Sequence, residues 1–262
     1  MMALLVTGTA SAVLNAQQPP SPVELDAVAT RGRMLADYDA AARSATDAVL
    51  ALERSRGIKH YIVTRSSLGL RVSFGQLNGH GDTFLVGYVA EQRSDQSAFE
   101  VSIHDPPLAD TGYLLRASRA VDIARSRFQG EQRPYNVAVL PAPAGEWWVY
   151  VYPAQSEEGV WPLGADARYR VSMDGRQIRE QRILHRRIIE YRPLPPGQAA
   201  VAMTHTAVMD EIPEDTDVLL VLRRNPAVPE IVVTKSFAYR IEIDGSIAYL
   251  GRKTDLMRSR RP

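Results

Sequence analysis

The strongest constraint on the fold is a change of hydrophobic period near Gly57. Before this glycine, apolar residues recur every three or four positions from Leu25 to Leu52, which is the spacing of one helix face. The preceding Ser-Pro-Val-Glu, residues 21–24, supplies a capping box with proline at the first helical position. The spacing predicts one amphipathic helix over about residues 22–55, ended by Gly57. We expect it to pack on the rest of the chain, with a partner helix as the alternative.

After Gly57 the pattern becomes that of short strands separated by turns. Apolar and polar residues alternate, and Asp174-Gly175 and Asp244-Gly245 are typical of tight hairpin turns. Helical spacing returns over residues 110–128, where Asp110 can act as the N-terminal cap. It returns again over residues 213–224, a segment with acidic residues in its first turn and arginines in its last. The predicted strands cover residues 61–63, 70–74, 84–90, 99–103, 135–140, 147–152, 167–173, 177–184, 199–203, 231–234, 237–243 and 247–250.

These elements predict an α+β fold. It consists of a long N-terminal amphipathic helix, then a mixed, mostly antiparallel sheet with two further helices. The expected organisation is a signal peptide over residues 1–16, a linker and helix over 17–57, and an α+β globular region over 58–262. A seam between two domains could fall near residues 129–134, and the tail from residue 252 is expected to fray.

The first residues indicate export. Residues 3–16 carry no charge, are rich in Ala, Leu and Val, and are followed by Gln-Gln-Pro-Pro. This predicts a secretory signal peptide cut near Ala16, and therefore a periplasmic or secreted protein; a short apolar anchor is the alternative. No Lys or Arg precedes the apolar run. Because no later run reaches the ~18 apolar residues of a transmembrane span, the mature chain is expected to be soluble.

Charge and cysteine content exclude several classes of function. The 262 residues carry 31 basic and 30 acidic side chains, so the net charge of +1 gives no electrostatic basis for binding nucleic acid or an anionic membrane. The absence of cysteine excludes disulfides, thiol catalysis and thiolate zinc sites. Five arginines lie in one stretch, where a solvated sheet face is expected and an anion site is the alternative: residues 176, 179, 182, 186 and 187.

Common catalytic motifs are missing. There is no Gly-x-Ser-x-Gly nucleophile elbow and no Gly-x-x-x-x-Gly-Lys phosphate loop. Asp110-Thr111-Gly112 matches the triplet of aspartic proteases, but those enzymes need two copies so that two carboxylates share a proton. A second copy does not occur, and the triplet is interpreted as a helix cap.

The most informative segment is residues 203–217. A predicted strand ends at His205, a loop follows, and the next predicted helix starts within a cluster of five acids. An imidazole at a strand end and acids at the next helix start suit a metal site, so His205, Asp210 and Asp217 are the candidate ligands, with Glu214 as an acid near the bound water. Zinc is the possible cofactor. The alternative is a solvated, well-capped helix start, because acids are favourable there without any metal.

The same segment resembles the signature of JAMM/MPN-type zinc metallopeptidases, in which a strand with His-x-His is followed by seven residues, Ser, two residues, Asp and a helix. The order of elements around it is similar too. The resemblance implies zinc held by two imidazoles and an Asp, and a Glu from an earlier strand as base, for which Glu146 is the candidate. His205 matches, but Met203 stands at the first His, Pro213 at the Ser and Thr216 at the Asp. It therefore implies a non-catalytic or re-purposed member.

Two hypotheses for function follow. The first is an exported, soluble cell-envelope protein that acts as a non-catalytic binding or structural module. Its partner would be an unknown protein or small ligand, contacted by the first helix or by Trp147, Trp148 and Trp161. Because aromatic residues in strands are more often core residues, burial of these tryptophans is the favoured alternative. The alternative is a metal-dependent hydrolase centred on His205 and the acidic loop 210–217.

Overall fold

The computed structural model describes residues 18–52, 57–66, 69–93, 98–195 and 197–258. The predicted signal peptide over residues 1–16 lies outside them. The helices are α1 (Pro22–Leu50), α2 (Tyr113–Arg127), α3 (Asp215–Arg223) and α4 (Lys253–Arg258). The strands are β1 (His60–Ser66), β2 (Gly69–Leu77), β3 (Phe84–Arg93), β4 (Glu100–Asp110), β5 (Tyr135–Pro141), β6 (Trp147–Pro153), β7 (Trp161–Val171), β8 (Ile178–Tyr191), β9 (Met203–Thr206), β10 (Glu230–Val233), β11 (Phe237–Ile241) and β12 (Ile247–Arg252).

The predicted α+β class with a long N-terminal helix is confirmed, and the strands form three four-stranded sheets. Sheet I has the order β1-β2-β3-β4 and sheet II the order β5-β6-β7-β8, each an antiparallel meander. Sheet III has the order β12-β11-β10-β9. Its strands β9 and β10 are parallel and are joined through α3, because parallel neighbours need a crossover connection.

Helix α1 docks on the chain itself and contributes to two cores. Its second half packs in one cluster with sheets I and II and with α2, through residues that include Leu35, Tyr38 and Val49. Val28, in its first half, packs against α3 and sheet III. The predicted capping box at its start is present, with Ser21 and Glu24 bonding reciprocally. The helix therefore connects the sheets as one continuous element.

Some predicted boundaries are wrong. Helix α1 ends at Leu50 rather than near residue 55, with Ala51 as its C-cap. Residues 199–202 are not a strand, because β10 offers partners only to residues 203–206; Val201 is 90% exposed instead. Strand β4 runs on to Asp110 through two prolines, which an edge strand tolerates since its outer N–H groups need no partner.

The C-terminal tail is partly helical, and the loop at the predicted seam joins two elements of one core. Part of the tail forms α4 instead of fraying, while residues 259–262 lie outside the described chain. Residues 129–134 connect α2 to β5, and one buried cluster contains residues from both sides of this loop. No helix among the described residues is long and apolar enough to cross a lipid bilayer.

The crossing of α1 and α3 gives a stability prediction. A Cβ atom on Gly32 would lie 2.4 Å from Cβ of Val218 and 2.9 Å from the carbonyl oxygen of Asp215. Alanine gains about 1 kcal/mol over glycine inside a helix, but overpacking costs about 1–3 kcal/mol. We expect Gly32→Ala to lower the free energy of unfolding in urea denaturation. The control is Gly87→Ala, whose new Cβ meets no atom within 4 Å; equal stability of both variants would contradict the close approach.

Candidate metal centre

Three side chains from three elements meet in the interior: His185 of β8, His205 of β9 and Asp217 of α3. Nε2 of His185 lies 3.1 Å from Oδ1 of Asp217, and Nε2 of His205 lies 3.2 Å from the same oxygen. The ligand atoms all lie within 4.8 Å of one another. The residues are 9%, 6% and 0% exposed, respectively, so the group is closed to bulk water. The predicted ligands His205 and Asp217 are thus together, joined by His185.

The start of α3 fixes the orientation of Asp217. Asp217 is the third residue of α3 and completes the capping box with Glu214, and its Oδ2 accepts the backbone N–H of Glu214 at 2.8 Å. The helix start is therefore capped, as the alternative expected, but it is buried rather than solvated. One oxygen of Asp217 is used for the cap, and the other faces the two imidazoles.

Each imidazole is held on its far side by a buried carboxylate. Oδ1 of Asp166 lies 2.9 Å from Nδ1 of His185 and also accepts the backbone N–H of that residue at 2.9 Å. Oε1 of Glu230 lies 3.0 Å from Nδ1 of His205. Because an ionised carboxylate only accepts, each Nδ1 carries the proton and donates it. This leaves both Nε2 atoms facing Asp217.

Glu230 is itself fixed by two donors. The Tyr191 hydroxyl donates to Oε1 at 2.8 Å, and the Arg224 guanidinium donates to Oε2 at 2.9 Å. Arg224 also donates to the carbonyl of Val228 at 2.8 Å. The carboxylate behind His205 therefore has little freedom to rotate.

Electrostatics in the centre strongly favour the charged forms of its residues. Burial acts to lower the pKa of His205, but Asp217 and Glu230 outweigh it and raise that pKa to about 9. Burial opposes charge on His185 as well, yet Asp166 and Asp217 raise its pKa well above the usual value. Burial alone would raise the pKa of Asp217, but the two imidazoles hold it far below its ordinary range.

The three facing atoms lack proper hydrogen bonds despite their proximity. Nε2 of His185, Nε2 of His205 and Oδ1 of Asp217 are buried, and none has a hydrogen-bond partner among the described residues. With both imidazoles charged, these atoms meet as ion pairs at 3.1 and 3.2 Å. Buried polar atoms in this condition call for an explanation such as an ion between them.

The remaining predicted site residues lie elsewhere. Asp210 and Glu214 both contact Arg182, at 2.8 and 2.7 Å, and Asp210 does not join the histidines. Burial raises the pKa of Glu214 to about 7, although Arg182 acts to lower it. Glu146 pairs with Arg170 and Arg179 at 3.5 and 3.7 Å. None of the three belongs to the buried group.

His185 lies within the arginine-rich stretch of residues 176–187, for which a solvated sheet face was expected, and it was not among the predicted ligands. Strand β8 does carry exposed arginines, but its register against β7 shifts between Ala167 and Asp166, where Ile183 and then His185 are the partners. The irregularity gives two consecutive buried residues, Leu184 and His185. Broken alternation near a histidine was the one available signal. Arg179 and Arg182 of this strand are engaged with acids.

Asp215, two residues before Asp217, forms a second buried network. It accepts from the Tyr150 hydroxyl at 2.8 Å and from Arg31 and Arg168. Arg31 belongs to α1 and the other two donors to sheet II. The first turn of α3 thus bonds to α1 and to both sheets that flank it.

No family model, curated protein or solved structure matches this chain. The resemblance of residues 203–217 to JAMM/MPN-type metallopeptidases therefore stays a prediction that rests on the segment itself.

The buried network gives a prediction for the metal-free protein. Removing one partner of a buried ion network leaves the others uncompensated and costs about 3–5 kcal/mol, whereas exposed pairs contribute at most ~1 kcal/mol. In the presence of a chelator, we expect Asp217→Asn to lower the free energy of unfolding by about 3–5 kcal/mol. Asp210→Asn, in the partly exposed pair with Arg182, is the matched control. Urea denaturation measures both, and similar losses would argue against the network.

Proposed function

We propose that this protein is a non-catalytic structural or binding module that holds one zinc ion between His185, His205 and Asp217. The observation that carries the proposal is the convergence of three buried ligand atoms without hydrogen-bond partners among the described residues. Every ligand also has its own supporting contact, from Asp166, Glu230 or the backbone of Glu214. Such outer contacts are characteristic of metal-binding histidines and carboxylates.

Two of the three ligand separations match a small tetrahedral ion. Zinc binds imidazole nitrogen and carboxylate oxygen at about 2.0–2.1 Å, so two ligand atoms in a tetrahedral site lie about 3.3 Å apart. The two separations to Oδ1 of Asp217 are 3.1 and 3.2 Å. Two imidazoles and one carboxylate suit zinc or a neighbouring transition metal better than calcium or magnesium, which prefer oxygen ligands.

Charge balance supports the same assignment. Without metal, two imidazolium ions and the Arg224 guanidinium balance the carboxylates of Asp166, Asp217 and Glu230. With a dication and two neutral imidazoles the total is again zero. Because unbalanced charge in an interior is costly, a site that stays neutral with a dication can bind one without a large electrostatic cost.

Burial favours a structural ion over a catalytic one. Three protein ligands leave a fourth position open on zinc, but a catalytic ion also needs substrate to reach that position. A cleft of about 310 Å³ is lined by Glu214 but by none of the three ligands, all of which are buried. The hydrolase alternative would need access that the closed arrangement does not offer, so the non-catalytic hypothesis is preferred.

We place this module in the cell envelope on the strength of the apolar, uncharged residues 3–16. A zinc site built from imidazole and carboxylate suits an oxidising compartment, where thiolate ligands are exposed to oxidation. The partner would be a protein or small ligand in the same compartment.

Metal content tests the proposal directly. We expect one zinc ion per chain in the purified protein from Gln17, measured by mass spectrometry after zinc loading and gel filtration. Zinc at about a thousandfold above its dissociation constant should raise the unfolding temperature by roughly 10 °C. His185→Ala and His205→Ala should lose both effects. His80→Ala, on an exposed turn, is the control. Stoichiometric zinc in the first two variants would contradict the site.

The carboxylate behind His205 gives a second test. Glu230→Gln keeps the shape of the side chain but removes the charge that orients and polarises the imidazole. We expect zinc affinity, measured by competition with a chromogenic chelator, to fall about 10- to 100-fold. The matched control is Glu190→Gln, whose side chain is 36% exposed and pairs with Arg192. Unchanged affinity in Glu230→Gln would mean that the ion binds elsewhere.

A further inference from the structure

An open pocket with an apolar floor lies under α1, where β1 of sheet I approaches β5 of sheet II. Its volume is about 510 Å³, within the roughly 300–1,000 Å³ that is usual for small-molecule sites. Its walls come from α1, β1, β2, the first residue of α2 and the end of β5. The described lining shares no residue with the His185–His205–Asp217 group. The pocket is therefore distinct from the candidate metal centre.

The floor of this pocket belongs to the hydrophobic core. Tyr38, Val63 and Leu140 line the pocket and are all buried in the cluster that joins sheets I and II. The Tyr38 hydroxyl donates to the carbonyl of Tyr61 at 3.1 Å, so its ring is held in place. An apolar group that enters the pocket would therefore contact a preformed apolar surface and leave water.

The rim of the pocket carries one base and one acid. Nη2 of Arg65 lies 2.9 Å from Oδ2 of Asp37, and the two side chains are 67% and 62% exposed. They are the charged residues of the described lining. An ion pair this exposed contributes little to stability, so both side chains can turn toward a further charged group at small cost.

The two opposite charges decide which head group the rim can hold. A ligand with a carboxylate alone would meet Arg65 but also the like charge of Asp37 beside it. A ligand with an ammonium alone would meet Asp37 but also Arg65. A head group that carries both charges can give its carboxylate to the guanidinium and its ammonium to the acid, so that all four charges are compensated.

We propose that this pocket binds a free α-amino acid with an apolar side chain. The side chain fills the apolar floor, and the ammonium and carboxylate of the ligand pair with Asp37 and Arg65 at the rim. The charge complementarity of the rim, directly above an apolar floor, carries the proposal. The inference goes beyond the proposed zinc function and does not depend on it, because the two sites share no residue.

Ligands that lack one part of an amino acid test the chemistry. The protein is the purified chain from Gln17 in the presence of a chelator, and L-leucine and L-phenylalanine are the probes. By calorimetry we expect a dissociation constant below about 1 mM for at least one of them. L-Leucinamide lacks the carboxylate and N-acetyl-L-leucine lacks the ammonium, so each should bind at least about tenfold more weakly than L-leucine. Glycine, without a side chain, should not bind detectably.

Variants of the rim test the location. Arg65→Gln should weaken L-leucine binding about tenfold without weakening L-leucinamide, which has no carboxylate for the arginine. Asp37→Asn should weaken L-leucine binding similarly without weakening N-acetyl-L-leucine. NMR titration measures the weaker ligands. A folding defect would weaken every ligand alike and is separated in this way. The matched control is Arg192→Gln, which breaks a similarly exposed pair with Glu157 outside the pocket and should bind as wild type does.

Three results would overturn the proposal. The first is an absence of binding by both L-leucine and L-phenylalanine. The second is binding of N-acetyl-L-leucine or of a fatty acid as tight as that of L-leucine, because the pocket would then take apolar anions. The third is unchanged L-leucine affinity in both rim variants. Since the titrations use metal-free protein, a failure of the zinc site would leave each of these results as informative as before.

Discussion

The carboxylate of Asp217 is the group on which the arrangement of the C-terminal half depends. One of its oxygens caps α3, and the other faces imidazoles from β8 and β9, which belong to different sheets. A fully buried carboxylate costs several kcal/mol unless compensating groups surround it. Sheet II, sheet III and α3 must therefore come together before this charge can be buried. Burial of the Asp217 carboxylate is therefore coupled to the packing of all three elements.

The first turn of α3 extends the same principle to α1. Asp215 and Asp217 lie two residues apart and point to different partners, arginines and a tyrosine in one case and histidines in the other. Five acids within eight residues would repel one another without compensation. Here Arg182 pairs with Asp210 and Glu214, Arg31 and Arg168 pair with Asp215, and the two imidazoles pair with Asp217. The acidic run is thus compensated by cations from four other elements, α1, β7, β8 and β9.

The two residues of this centre that lie close together in the sequence, His205 and Asp217, could be predicted from it. His205 and Asp217 belong to one strand–loop–helix unit, so their proximity follows from the crossover geometry. Asp210 belongs to the same acidic run and looked equivalent to Asp217, but only the residue that completes the capping box turns inward. His185 carries only the weak signal of broken alternation, because its position depends on a bulge in β8 and on the docking of sheet II against α3. The long helix and most hairpins were predictable because hydrophobic period and turn residues are local signals. The division of the strands into three sheets was not, because it depends on contacts between residues far apart in the chain.

Because the buried charges sum to zero with or without a dication, the protein could fold before it binds a metal ion. Two imidazolium protons satisfy the buried carboxylates in the metal-free protein, so the chain can fold around Asp217 before any metal arrives. A preformed, buried site then has no need of metal for charge compensation. Its weakness is access, because the ligands are closed off once the sheets have docked. A site of this kind requires the packing around Asp217 to open before an ion can reach it. Folding and loading would then be separate events.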